Sequence, residues 1–184
     1  MKKWVLIVSL FTPAMAWAHA GHATAGGFPG GIAHPFSGAD HLLAMLAVGV
    51  WASQRGGRAL WAWPVAFVTL MSVGSLSALS GLTFLYIEQG IATSLLVFGL
   101  LIAASIRLPL LAGVWIVGVF ALFHGAAHGL EMPAGNPLLY IAGFALSTAA
   151  LHATGIGAGL LGRGVWTRLA GAAVGASGLY LMLA

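Results

Sequence analysis

The chain has 184 residues, 60% hydrophobic and only 5% charged, with a mean hydropathy of +1.01. A soluble domain carries about 25% charged residues, so this composition excludes an ordinary soluble fold and describes an integral membrane protein. The formal charge of +4 rests on seven scattered Lys and Arg, which excludes a nucleic-acid surface, and zero Cys excludes disulfides and thiolate metal sites.

The first twenty residues read as a separate unit. Lys2-Lys3 is a positive start, Trp4 to Phe11 an apolar run too short to span a bilayer, and Ala16-Trp17-Ala18 a small-residue cleavage site. Residues 1–18 are therefore expected to be a cleaved signal peptide. Residues 19–31 follow as a flexible periplasmic segment, rich in Gly and beginning His19-Ala20-Gly21-His22. His19 and His22, beside a free amine, are candidate accessory metal ligands.

Residues 32–184 divide at Gly, Pro and Arg into six apolar stretches, read as transmembrane helices over 32–52, 60–80, 89–106, 109–130, 137–161 and 165–183. Long continuous apolar runs exclude a β-barrel, whose strands alternate. With the mature N-terminus in the periplasm, Arg55, Arg58, Arg107, Arg163 and Arg168 all fall on cytoplasmic loops, while Glu88 and Glu131 lie at outer ends. That agrees with the positive-inside rule and with the signal peptide. The fold expected is thus an all-α, multi-pass protein of the bacterial inner membrane. Its halves of three spans each are compatible with a 3+3 inverted repeat. Glycines in the spans read as close helix packing, but Gly38, Gly125 and Gly129, which flank the ionisable residues, read as points of backbone approach to an ion or of a local break in the helix. Trp4, Trp61, Trp63 and Trp166 read as interfacial anchors.

Two segments break the apolar pattern. His34-Pro35-Phe36-Ser37-Gly38-Ala39-Asp40-His41 opens the first span, and Phe123-His124-Gly125-Ala126-Ala127-His128-Gly129-Leu130-Glu131 closes the fourth. They hold four of seven His and two of three acidic residues. Ionisable groups at membrane depth are costly and mark binding sites or ion paths; imidazole with carboxylate suits nickel, cobalt or zinc. Residues seven apart on a helix share a face, about 10.5 Å apart along the axis. His34 and His41, with Ser37 between and Asp40 to one side, should therefore form one stripe, and His124, His128 and Glu131 another. On antiparallel neighbours the two stripes would form a ladder from the periplasm into the membrane. His152, with Thr148 one turn before it, reads as a later stop or as packing; Glu88 reads as a solvated loop residue.

These segments resemble the HupE/UreJ family of nickel permeases, some of whose members are associated with cobalt. The resemblance rests on HPFSGADHLLAMLAVG at 34–49, FHGAAHGLE at 123–131, the signal peptide with its His-containing mature start, and the span count. It implies uptake of Ni²⁺ or Co²⁺ as substrate into the cytoplasm for metalloenzyme assembly, with no resident cofactor. It assigns His34, Asp40 and His41 to one motif and His124, His128 and Glu131 to the other; Ser37 and His152 are accessory candidates by their helical positions, not by the resemblance. Beyond the metal and the lipid, a cytoplasmic metallochaperone and a second copy of the chain are the partners to expect. A more distant likeness is to nickel/cobalt transporters with His, four residues, then Asp-His; here five residues separate His34 from Asp40, so ligand roles do not transfer from that group.

The main rival is an intramembrane zinc hydrolase. Ser37, Asp40, His41, His124 and His128 resemble the Ser, Asp and His-x-x-x-His elements of alkaline-ceramidase-like enzymes, in which Zn²⁺ held by three His activates water. A graded ladder favours ion passage over one compact reaction centre. A haem protein ranks lower, since carboxylates beside the His favour a free cation. No Walker motif for ATP hydrolysis occurs.

Overall fold

The computed structural model describes residues 26–82, 84–162 and 164–184. The expected signal peptide and the candidate ligands His19 and His22 lie outside the described residues, as does Arg163.

Among the described residues the structure is all helical, with no strand. Seven α-helices follow in order: α1 (Gly27–Ala33), α2 (Ala39–Arg55), α3 (Ala59–Leu79), α4 (Ile87–Ala103), α5 (Leu110–Leu130), α6 (Pro137–Leu161) and α7 (Val165–Leu183). Five of the six apolar stretches recur as single helices. The first does not. It is broken into α1, a 3-10 turn over His34–Phe36, and α2, with an 80° bend between the two arms. Pro35 has no N–H to donate and Gly38 adopts extended backbone (φ −113°, ψ 124°), so the helical ladder stops and restarts there.

The first correction concerns residues 27–31, expected to be flexible. They form α1, which lies against α6. The contact is backbone on backbone: a Cβ on Gly31 would collide with the Tyr140 carbonyl, and one on Gly143 with the Phe28 carbonyl. Small residues permit such approach, and the helix gains packing that a seven-residue helix lacks alone.

α3, α5 and α6 are long and apolar enough to cross a bilayer, and the bent α1–α2 pair makes a fourth if it is one span. α4 is a shorter apolar helix of 17 residues. The surface is inverted relative to a soluble protein. Trp115, Trp166, Leu111, Leu138, Leu161 and Leu183 stand exposed, while His41, His124, His128, His152, Ser94 and Thr148 are buried. Lipid is the solvent that suits such a surface.

Helix pairing is specific: α3 lies along α5, α4 along α7, and α2 along α6, with α2 also touching α3, α4 and α7. α2 is thus the hub. At the end of the bundle away from its first turn, Arg55 donates to the Leu108 carbonyl at 3.0 Å and Arg168 to the Ala103 carbonyl at 2.9 Å. Trp63 is a second correction. It is fully buried, stacked near Trp51 (centroids 4.1 Å) and donating to the Leu110 carbonyl at 3.0 Å, a core residue and not an interfacial anchor.

Candidate metal pathway

The site is built where the broken helix leaves its end inside the bundle. Gly38 caps α2, and Asp40 stands in its first turn, where a carboxylate is favoured by the exposed N–H groups and helix dipole. Asp40 Oδ1 accepts the His41 backbone N–H at 2.8 Å and the His41 ring Nδ1 at 3.1 Å. That second contact makes Nδ1 the protonated nitrogen of His41, because a carboxylate only accepts. The lone pair then resides on Nε2, which is buried and has no hydrogen-bond partner.

The His residues gather tightly. Ring centroids of His34 and His128 are 4.6 Å apart, His41 and His128 4.8 Å, His41 and His124 4.9 Å, and His34 and His41 6.3 Å. α2 and α5 do not lie along each other; α2 packs on α6 and α5 on α3, and only their histidine-bearing ends bring side chains together. The ladder expected from a straight first span is therefore replaced by a compact cluster. The 80° bend puts His34 on a different arm from His41, so the two do not share one straight helix face, and their ring centroids lie 6.3 Å apart. His124 and His128 are fully buried; both ring nitrogens of His128 and Nδ1 of His124 lack partners. His128 stacks on Phe144 (4.7 Å, 13°), so its orientation is fixed by packing alone.

Above the cluster lies a cavity of about 120 Å³ lined by His34, Ser37, Gly38, Asp40, His41, Glu88 and Glu131. His34 Nε2 contacts Glu131 Oε2 at 3.3 Å. Hydrogen bonding to His34 holds the half-exposed Glu131 carboxyl below its usual range. Glu88, in the first turn of α4, was expected to be a solvated loop residue; it lines this cavity instead. All three acidic residues of the chain therefore face one mouth. Ser37 is also at the mouth, but its hydroxyl donates to the His34 carbonyl at 2.6 Å. Gly125 and Gly129 serve helix packing, not ion approach: a Cβ on either would strike the backbone of α3 at Met71 or Ser75.

Beneath the cluster, the Phe67 ring touches both His124 (5.6 Å) and His152 (5.1 Å). His152 is thus apart from the four-His group, buried, with neither ring nitrogen partnered. Thr148, one turn away, bonds to the sulfur atoms of Met45 (3.3 Å) and Met71 (3.8 Å). Two residues that the sequence does not place at the candidate site adjoin it: Glu88, and Ser94, whose hydroxyl lies 3.0 Å from His124 Nε2. As the side chains stand, no three His, Asp or Glu among the described residues converge on one point as a ready metal centre.

An apolar-surfaced helical bundle that buries a histidine cluster beside an acidic cavity is a membrane protein with a polar interior. Residues 6–181 match the HupE / UreJ protein family. The chain is also 42% identical over 183 residues to "Protein HupE" of Rhizobium leguminosarum bv. viciae, covering 96% of this chain and 95% of that one. The chain belongs to the HupE/UreJ family. No solved structure matches it.

Proposed function

We propose that this protein carries a divalent transition metal, nickel or cobalt, through the inner membrane from periplasm to cytoplasm to supply metalloenzyme assembly. The observation that carries the reading is the continuity of donors: the acidic mouth at Asp40, Glu88 and Glu131 opens onto His34 and His41, then His128 and His124 within 4.6–4.9 Å centroid steps. Carboxylates concentrate cations at the mouth. Buried imidazole lone pairs without partners then replace hydration, which a desolvated cation requires.

The lack of a ready three-ligand cage fits passage. An ion that is to leave must be held by successive, incomplete sets of donors. His152, beyond Phe67, would be a later contact. At the opposite end, a cavity of about 320 Å³ lined by Gln54, Ser105, Arg107, Gly159, Gly164 and Thr167 offers a polar exit. Arg55, Arg58, Arg107 and Arg168 gather at that end, which the positive-inside rule makes cytoplasmic. The α2–α6 and α3–α5 pairings exchange when the two three-helix halves are swapped, while α4–α7 maps onto itself. These three pairings are what six spans in an inverted repeat would give, while the α2–α3 and α2–α4 contacts have no comparable swapped counterpart.

The compact cluster gives the hydrolase reading one point in its favour. Against it, the Ser37 hydroxyl is spent on the His34 carbonyl and Asp40 Oδ1 on His41. The test is accumulation of nickel and cobalt at low external concentration by cells expressing the protein or His41→Ala, with lipid-amide hydrolysis followed in parallel. Metal accumulation lost in the variant supports transport. Hydrolysis lost while accumulation is unchanged sinks it.

A further inference from the structure

Ser94 lies on α4, fully buried, facing the cluster from a helix that supplies no histidine. Its hydroxyl has two neighbours, the Ile91 carbonyl at 2.6 Å and His124 Nε2 at 3.0 Å. A hydroxyl has one proton and two lone pairs. Two oxygens 2.6 Å apart need a proton between them, and the carbonyl cannot supply one. The Ser94 proton therefore points at Ile91, and toward His124 the oxygen can only accept.

His124 must then carry its proton on Nε2. The other tautomer would set two lone pairs against each other and bury an Nδ1–H that has no acceptor. Its Nδ1 lone pair is left free, 0% exposed and unpartnered, on a ring 4.9 Å from that of His41. His41 is fixed in the opposite sense by Asp40, with Nδ1 protonated and Nε2 free. Two adjacent imidazoles, in edge-to-face contact, thus each have one nitrogen tied back and one lone pair unspent. Outer partners of this kind set the tautomer of a ligating histidine and raise its basicity.

We propose that Ser94 is a positioning residue that, braced by the Ile91 carbonyl, locks His124 in its Nε2–H tautomer and presents Nδ1 to the cation beside His41 Nε2. This deepens the transport reading and rests on it for the identity of the cargo. It assigns a role to a serine that otherwise passes for a small packing residue in an apolar helix.

Two readouts on Ser94→Ala and Ser94→Thr test it. The first is the nitrogen-15 spectrum of histidine-labelled, full-length protein in detergent, with His124 identified by its loss in His124→Gln. The wild type should show His124 with a protonated Nε2 and a bare Nδ1 that nickel perturbs. Ser94→Ala should mix the tautomers, and Ser94→Thr, which keeps the hydroxyl, should restore one. The second is nickel uptake, where Ser94→Ala should raise KM by about 10-fold with little change in the maximal rate, and Ser94→Thr should stay near wild type. A wild-type His124 protonated on Nδ1, or a Ser94→Ala protein with unchanged tautomer and KM, overturns the proposal. The spectrum reads Ser94's action without transport. If the tautomer shifts as stated and nickel perturbs Nδ1 while no variant takes up metal, the transport reading fails and the positioning role stands.

Discussion

His41 and His124 meet edge to face, with ring centroids 4.9 Å apart and planes at 85°, although 83 positions separate them and their helices do not run side by side. Each ring is tied back through one nitrogen, to Asp40 or to Ser94. Removing either ring breaks the sequence of donors between the mouth and the buried end of the cluster. We expect His41→Ala and His124→Ala to abolish uptake at low external nickel. Asp40→Asn should lower it by about 10–100-fold, the usual cost of losing an outer-shell partner. Initial uptake rates, with membrane-inserted protein quantified, decide this; His124→Ala at the wild-type rate would remove His124 from the path.

Glu88 shares the mouth cavity with Asp40 and Glu131. Its charge should raise the local cation concentration more than it stabilises the fold. Glu88→Gln is expected to raise the KM for nickel on the order of tenfold with the protein still folded and inserted in the membrane. A loss of stability with unchanged KM would make Glu88 a structural residue.

At Glu131 the prediction concerns protonation. Its pKa is lowered chiefly by the hydrogen bond with His34. A carboxyl with a depressed pKa favours the native arrangement above its ordinary value, and that contribution disappears as pH falls through the lowered value. Infrared difference spectra between wild type and Glu131→Gln should therefore show the carboxylate still ionised at pH about 4.3, where an ordinary Glu is half protonated. His34→Ala should return the titration toward the ordinary value. An unshifted wild-type titration would contradict the contact.

Gly125 sits on α5 where a Cβ would collide with the Met71 carbonyl of α3. Gly125→Val should cost about 1–3 kcal/mol through overpacking, read as a lower unfolding temperature in detergent. It should also impair uptake, because α5 carries His124 and His128 on its adjoining turns. An unchanged unfolding temperature would show that the two helices are not in close contact there.

Much of this was legible in the residues, and the exceptions have physical reasons. Apolar run length placed five helices to within a few residues, because bilayer thickness sets helix length. The first span was harder: Pro35 and Gly38 mark a break, but residue identities do not say how far the chain turns, and the 80° bend is what converts the expected ladder into a cluster. Carboxylates adjacent to histidines announced the site at Asp40 and Glu131. Glu88 had no such neighbour in sequence and is brought to the mouth only by packing of α4 on α2. Ser94 carried no signal, since a serine among small residues reads as packing. Trp63 near a helix start resembles an anchor until tertiary contacts bury it against Trp51.

Transport by this chain alone is the central claim, and uptake of radiolabelled nickel into liposomes containing only the purified protein tests it most directly. Saturable accumulation above empty liposomes, competed by cobalt, and lost in His41→Ala protein of equal amount and fold, is expected. Accumulation no greater than in empty liposomes, or equal for wild type and His41→Ala, would contradict it.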